Sequence, residues 1–312
     1  MKDLATEGLL AEAMVEALDV GRAAAKTGRV ASYIPELAKA DPNLVGISIH
    51  SIDGPTMAVG DADSFFTMQS VSKVFFLAHA IREQGPSILE RMSCEPSGDS
   101  FHSIVRLEEE YGRPRNPYIN AGAIMVAGLL PGSGADEKVR GFRAFMAEIC
   151  DGAPFPVDEA VFQSESATGF RNRALANYMR HHGIVADADV AVETYFRLCA
   201  VVCTAKRLGR AGMFLANRGV DPVTGKRILD IADNRSLVAL MATCGMYDEV
   251  GRFAIDVGLP GKRSVSGSVL GVVPGRLSIA VFAPALGPKG NSIGGLAAMR
   301  HLSSRLDLSL YG

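Results

Sequence analysis

Ser70 and Lys73 stand three positions apart in Gln69-Ser70-Val71-Ser72-Lys73, where an apolar stretch begins. Three residues is about one helical turn, so hydroxyl and amine share a helix face within hydrogen-bond reach. A serine hydroxyl at its ordinary pKa is a poor nucleophile and needs a neighbouring base. Lysine serves when burial disfavours its charged form, and Val71, Val74, Phe75, Phe76 and Leu77 supply apolar surroundings. A helix start also presents the Ser70 N–H to a developing oxyanion. The pattern is common by chance, and a capping serine followed by a solvated lysine is its bland meaning.

Three other polar segments are hard to read as plain surface. Asn120 enters an apolar run in Asn116-Pro117-Tyr118-Ile119-Asn120-Ala121-Gly122-Ala123-Ile124. Glu165 and Asn172 flank the loop Ser166-Ala167-Thr168-Gly169-Phe170-Arg171. Tyr247 occupies a tight turn in Thr243-Cys244-Gly245-Met246-Tyr247-Asp248. Singly, each reads as a cap or turn.

Other motifs fall away. Gly290-Asn291-Ser292-Ile293-Gly294 spells the hydrolase elbow, but only His301 follows it, with Asp307 later still. That order fails the elbow's acid-then-histidine sequence, so Ser292 reads as a helix cap. Lys26-Thr27-Gly28 lies ahead of the serine, whereas the Lys-Thr-Gly of penicillin-recognising enzymes belongs on a late strand. Cys199 and Cys203, four apart on an apolar helix without nearby histidine, read as core. His181-His182 before Gly183 reads as a helix end, and neither a phosphate loop nor a dinucleotide fingerprint is present.

Composition narrows the class. A chain of 312 residues that is 48% hydrophobic and 21% charged can bury a real core, which excludes disorder. Its net charge of −2 gives no global field for nucleic acid or anionic lipid. No apolar run approaches the roughly 20 residues of a membrane span, and Met1–Glu7 lack a signal-type apolar region. Five scattered cysteines make no disulfide framework. These features predict a reduced, cytoplasmic protein.

The elements that must position the polar groups are legible from periodicity. Helices are expected over 7–26, 33–39, 71–82 and 293–306, and strands over 44–52, 56–60, 252–257, 268–273 and 277–282. The middle of the chain shows helical patterns without a convincing alternating run. Short turns between the late strands favour antiparallel pairing. The expected fold class is α+β: one antiparallel sheet built from both termini and flanked by helices, with an all-helical middle. Residues 1–75 plus 216–312 would form the sheet region and 76–215 the helical one.

Taken in order, these segments resemble the serine-dependent glutaminase family. The likeness runs from about Gly28 to Leu306. It includes Gly28-Arg29-Val30-Ala31-Ser32-Tyr33, Gln69-Ser70-Val71-Ser72-Lys73, Glu95-Pro96-Ser97-Gly98-Asp99, the stretches around Asn120 and Glu165, Tyr195-Phe196-Arg197-Leu198-Cys199, the Tyr247 turn and Gly258-Leu259-Pro260. The family's fold is similar to that of β-lactamases and penicillin-binding proteins. The resemblance implies hydrolysis of L-glutamine through a glutamyl-serine ester, without cofactor or metal. It implies Ser70 as nucleophile and Lys73 as base, with Tyr33 and Tyr247 moving the proton to departing ammonia. Asn120, Glu165, Asn172 and Tyr195 would clamp the amino acid, and the N–H groups of Ser70 and Val265 would hold the oxyanion. It also suggests a homo-oligomer, dimer or tetramer.

Two departures stand out. Where the family usually reads Ser-Gly-Val-Gly-Gly-Gly after Pro-x-Lys, this chain reads Arg263-Ser264-Val265-Ser266-Gly267-Ser268 after Pro260-Gly261-Lys262. Since glycine permits angles that side chains resist, a reshaped oxyanion loop is expected. Tyr118 replaces a common aliphatic residue and creates a Tyr-x-Asn resembling some β-lactamases and peptidases. Two rivals follow: a penicillin-recognising acyltransferase, and a non-catalytic amino-acid-binding protein of the same fold.

Overall fold

The computed structural model describes residues 4–150 and 152–312, with side chains described from residue 7. Of the stretch Met1–Glu7 read for a leader, residues 1–3 lie outside that set. Seven strands occur among the described residues: β1 (Gly46–Ser51), β2 (Thr56–Gly60), β3 (Phe66–Thr67), β4 (Val202–Cys203), β5 (Gly261–Arg263), β6 (Ser268–Val273) and β7 (Leu277–Phe282). The main sheet has the order β2-β1-β7-β6-β5 with every pair antiparallel. Both termini therefore build it, as expected, and β1 meets β7 in the register Gly46↔Phe282 to Ser51↔Leu277.

Among the described residues there are twelve α-helices: α1 (Leu4–Ala25), α2 (Ser72–Gln84), α3 (Val105–Glu109), α4 (Asn120–Leu129), α5 (Ala135–Glu148), α6 (Glu159–Thr168), α7 (Phe170–His181), α8 (Ala188–Cys199), α9 (Ala205–Ala216), α10 (Ile231–Cys244), α11 (Val250–Asp256) and α12 (Ile293–Arg305). Strand alternation sorts the core into two layers. Ile47, Ile49, Val269, Ile279 and Val281 pack toward α1 and α12. Leu270, Val272, Ala280 and Phe282 join the larger core that continues through the helical middle. Two glycines one turn apart let α9 lie close on that second face. A Cβ on Gly209 would come 2.6 Å from His50 Cδ2, and one on Gly212 would meet Leu270 Cδ1 at 2.9 Å.

Two strand expectations need correction. Residues 252–256 are helical within α11 and Val257 is its C-cap, because Phe253 and Val257 turn one side inward at helical spacing while Ile255 is 79% exposed. Arg252 also pairs with Asp256 at 2.7 Å across one turn. The strand in that region is the later β5. The middle does hold a strand, the two-residue β4, which pairs with β3 beside the serine. Ser292 caps α12, accepting from Gly295 N at 2.9 Å, and the Lys26-Thr27-Gly28 triplet follows the end of α1. Among the described residues no helix is long and apolar enough to cross a membrane.

Candidate active site

β3 delivers the chain to Ser70. The Met68 N–H donates to Val201 O at 2.8 Å, tying this approach to the helical middle. Gln69 then takes φ +47, a left-handed angle that few side chains accept, and starts a 3₁₀ turn over Gln69–Val71. The turn runs straight into α2, with Ser72 Oγ donating to Gln69 O at 2.6 Å. Tyr247 also has a left-handed angle, φ +57. Strain of this kind persists only where surrounding structure holds it, and it gathers at functional sites.

Lys73 is fully buried, one turn after Ser70. Its Nζ donates to Asn120 Oδ1 at 2.8 Å, Tyr118 O at 3.0 Å and Tyr247 Oη at 3.3 Å. Its donors thus point to these three acceptors, while Ser70 lies against the Tyr247 hydroxyl. The Asn120 amide joins the rest of the polar set. Its Oδ1 also accepts from Tyr195 Oη at 3.3 Å, and its Nδ2 donates to Asn172 Oδ1 at 2.9 Å. Tyr118 contributes its backbone carbonyl, because its hydroxyl turns away to Leu237 O on α10.

Charge is arranged around the Tyr247 phenol. Burial opposes its ionisation, but Lys262, Lys73 and Arg263 together outweigh that cost and bring it down to about 7. Lys262 Nζ stands 4.1 Å from the Tyr247 ring centroid. Burial pushes this ammonium down to about 7, against the pull of Tyr247. Glu165 is the opposite case. Burial raises its carboxyl to about 8, although Lys73 and a hydrogen bond from Gln69 draw it down. Its Oε2 is buried without a hydrogen-bond partner.

A cavity of about 280 Å³ opens over these groups, walled by Ser70, Gln69, Asn120, Glu165, Asn172, Tyr195, Phe101, His102 and Arg171 among others. Tyr33 stands at its mouth, 57% exposed. Val265 lines an adjoining cleft with Tyr33 and Phe101. Its loop is stitched to the serine's approach, Ser264 Oγ donating to Met68 O at 2.9 Å. Ser264 and Ser266 hydroxyls meet at 2.9 Å, and Ser266 and Ser268 at 3.3 Å. In that loop only Gly267 needs a left-handed angle, φ +93, so the three serines fit without strain.

The sequence-predicted residues Ser70, Lys73, Asn120, Glu165, Asn172, Tyr195 and Tyr247 converge, with Tyr33 and Val265 at the edge. Phe101, His102 and Arg171 escaped sequence reasoning because nothing in their spacing marks them. Lys262 escaped as a site charge because surface exposure is the usual fate of such a residue, whereas Arg263 stood out in the sequence as a departure that adds bulk and charge to the oxyanion loop. Among the described residues no group of three or more His, Cys, Asp or Glu side chains converges as a metal site.

Residues 28–311 match the glutaminase family. The chain belongs to the glutaminase family. The glutaminase of Rhodopseudomonas palustris is 45% identical over 306 residues, covering 97% of this chain and 98% of the relative. That of Agrobacterium fabrum is 46% identical over 287 residues, 91% of this chain and 93% of the relative. Among solved structures, the probable glutaminase ybaS superposes with a TM-score of 0.92 at 33% identity, covering 97% of this chain and 98% of that one. The enzyme hydrolyses L-glutamine to L-glutamate and ammonia, and the penicillin-recognising and non-catalytic readings are set aside.

Proposed function

We propose that this glutaminase works through a glutamyl ester on Ser70, with Tyr247 and Lys73 together as its base. The observation that carries this is the Tyr247 hydroxyl, which lies against Ser70, accepts from Lys73 Nζ and is poised near neutrality. The Tyr247 phenolate takes the Ser70 proton while Lys73 holds the negative charge in place. Ser70 Oγ attacks the side-chain amide carbon of glutamine. Donors converging from the Ser70 and Val265 N–H groups meet the oxyanion, where charge develops. Collapse breaks the C–N bond, and Tyr247 returns its proton to the leaving ammonia. Water then opens the ester by the same proton path.

Glu165 pairs with the substrate ammonium, and Asn120, Asn172 and Tyr195 offer donors to its carboxylate. Fixed spacing between this clamp and Ser70 selects glutamine over asparagine, since an ångström of misplacement costs about a hundredfold. Tyr33 at the mouth helps carry the proton toward departing ammonia. A relative supports the covalent route: the Bacillus subtilis glutaminase YbgJ forms a covalent complex with 5-oxo-L-norleucine on reaction with 6-diazo-5-oxo-L-norleucine.

The test pairs ammonia release with mass spectrometry after 6-diazo-5-oxo-L-norleucine. Wild type should gain one adduct on Ser70, and Ser70→Ala should lose both adduct and turnover. Hydrolysis surviving in Ser70→Ala would remove Ser70 from the route. A homo-oligomer, dimer or tetramer, belongs to the same proposal and is read by light scattering. A cytoplasmic location does too, and the free thiols of Cys94, Cys199, Cys203 and Cys244 are in keeping with it.

A further inference from the structure

Arg263 sits where the family usually carries a serine, and its surroundings are unusual for a guanidinium. It is 1% exposed on β5. Its Cζ lies 4.7 Å from the Tyr247 ring centroid and 5.9 Å from that of Phe101. Nη1 donates to Gly290 O at 2.7 Å, Nη2 stands 3.8 Å from Asp248 Oδ1, and Nε has no partner. Surface ion pairing does not account for this placement, because only one distant carboxylate oxygen is engaged. The largest neighbour is the aromatic face of the residue that Ser70 touches.

A cation over an aromatic face is attracted by the ring electrons, and more strongly once desolvated. Ionising the phenol spreads negative charge into that same ring, so the attraction grows on deprotonation. Burial draws the guanidinium down too, but from a starting value so high that it keeps its charge where the ammonium of Lys262 titrates. Its anchors span two segments, the 287–290 loop and the turn that begins at Tyr247, so it holds the ring and the strained turn in one place.

We propose that Arg263 is a positioning residue for Tyr247, holding the phenol over Ser70 in its ionised, proton-accepting form. This rests on the role given to Tyr247 above. Other groups facing the phenol are Lys73 from α2, Lys262 from β5, the Ser70 hydroxyl, and the Tyr33 and Tyr195 phenols. Asp248 and Glu249 follow on its own turn and act on it through Arg263. Among them Arg263 supplies the one cation that does not titrate near neutrality and that faces the ring without bonding the hydroxyl.

Two readouts test this, on the intact enzyme. First, the near-ultraviolet phenolate absorbance of Tyr247 is isolated as wild type minus Tyr247→Phe and titrated in Arg263→Lys, Arg263→Gln and Arg263→Met. Second, the acid limb of kcat for L-glutamine, read at saturating substrate where Glu165 is already paired, is followed in the same variants. In Arg263→Gln and Arg263→Met both midpoints should move up by about one pH unit or more, each unit being a tenfold change in the ionised fraction. Arg263→Lys, whose ammonium burial would draw down as it does that of Lys262, should fall between wild type and Met. A Gln or Met variant with the wild-type midpoint overturns the proposal. The absorbance titration does not depend on turnover, so it reads Arg263 even if Ser70→Ala proves Ser70 to be outside the chemistry.

Discussion

Glutamine binding should expel a proton from Glu165. Burial holds this carboxyl at about 8, raised from 4.5. At pH 7 it is therefore about nine-tenths protonated, one unit below its midpoint being a tenfold excess of the neutral form. An arriving ammonium needs the carboxylate, so binding at pH 7 should release about 0.9 proton, with an ionisation cost of about 1.4 kcal/mol. Affinity should rise about tenfold from pH 6 to pH 7 and level off above pH 8. The assay is calorimetry with L-glutamine on the Ser70→Ala enzyme, which prevents turnover, in two buffers of different ionisation heat. Heats that do not depend on the buffer, or an affinity flat from pH 6 to pH 8, would mean that Glu165 carries no proton to expel. Glu165→Gln should abolish the release and weaken binding. The sign for stability runs the other way. A carboxyl raised on folding destabilises the folded chain from the unfolded value of 4.5 upward, reaching full cost above about 8. Glu165→Gln should accordingly melt above wild type at pH 8.

Other expectations follow from the same geometry. Tyr247→Phe should lower kcat by about 10²–10⁴ and erase the acid limb near pH 7, where activity otherwise rises as the phenol ionises; a pH–rate series reads both. Asn120→Ala removes the atom shared by Lys73 and Tyr195 and should weaken L-glutamate binding and slow turnover together. Gly209→Val would push a side chain into His50 at the α9–sheet contact, costing about 1–3 kcal/mol by overpacking, measured by thermal melts. Ser292→Ala should cost about 1 kcal/mol as a lost helix cap, seen as a lower denaturation midpoint at constant slope.

The local spacing of Ser70 and Lys73 was legible because one helical turn is a short-range fact. Their partners were not, since Asn120, Glu165, Tyr195 and Tyr247 meet only through tertiary packing; the resemblance carried them. Even the local pair came out differently in detail, with the lysine bonded to Asn120, Tyr118 and Tyr247. Periodicity found β1, β2, β6 and β7, whose apolar residues alternate. It misread 252–257, where alternation and helical spacing coincide over six residues, and it overlooked β5, where a buried Lys-Arg pair hides the strand. The left-handed angles at Gln69 and Tyr247 left no trace, because neither position is a glycine. The serines after Arg263 take no left-handed angle, which in their loop falls to Gly267 alone.

The pairing of β1 with β7 sets a condition on synthesis. The strand at residues 46–51 leaves the ribosome long before its neighbour at 277–282 exists. Until then one long flank of β1 is an open edge, able to recruit any extended segment nearby. Productive folding must wait for nearly the whole chain, and such distant pairings are slow and prone to aggregation. Truncations that remove β7 should therefore yield insoluble protein, and expression at lower temperature or with holding chaperones should raise the recovered fraction.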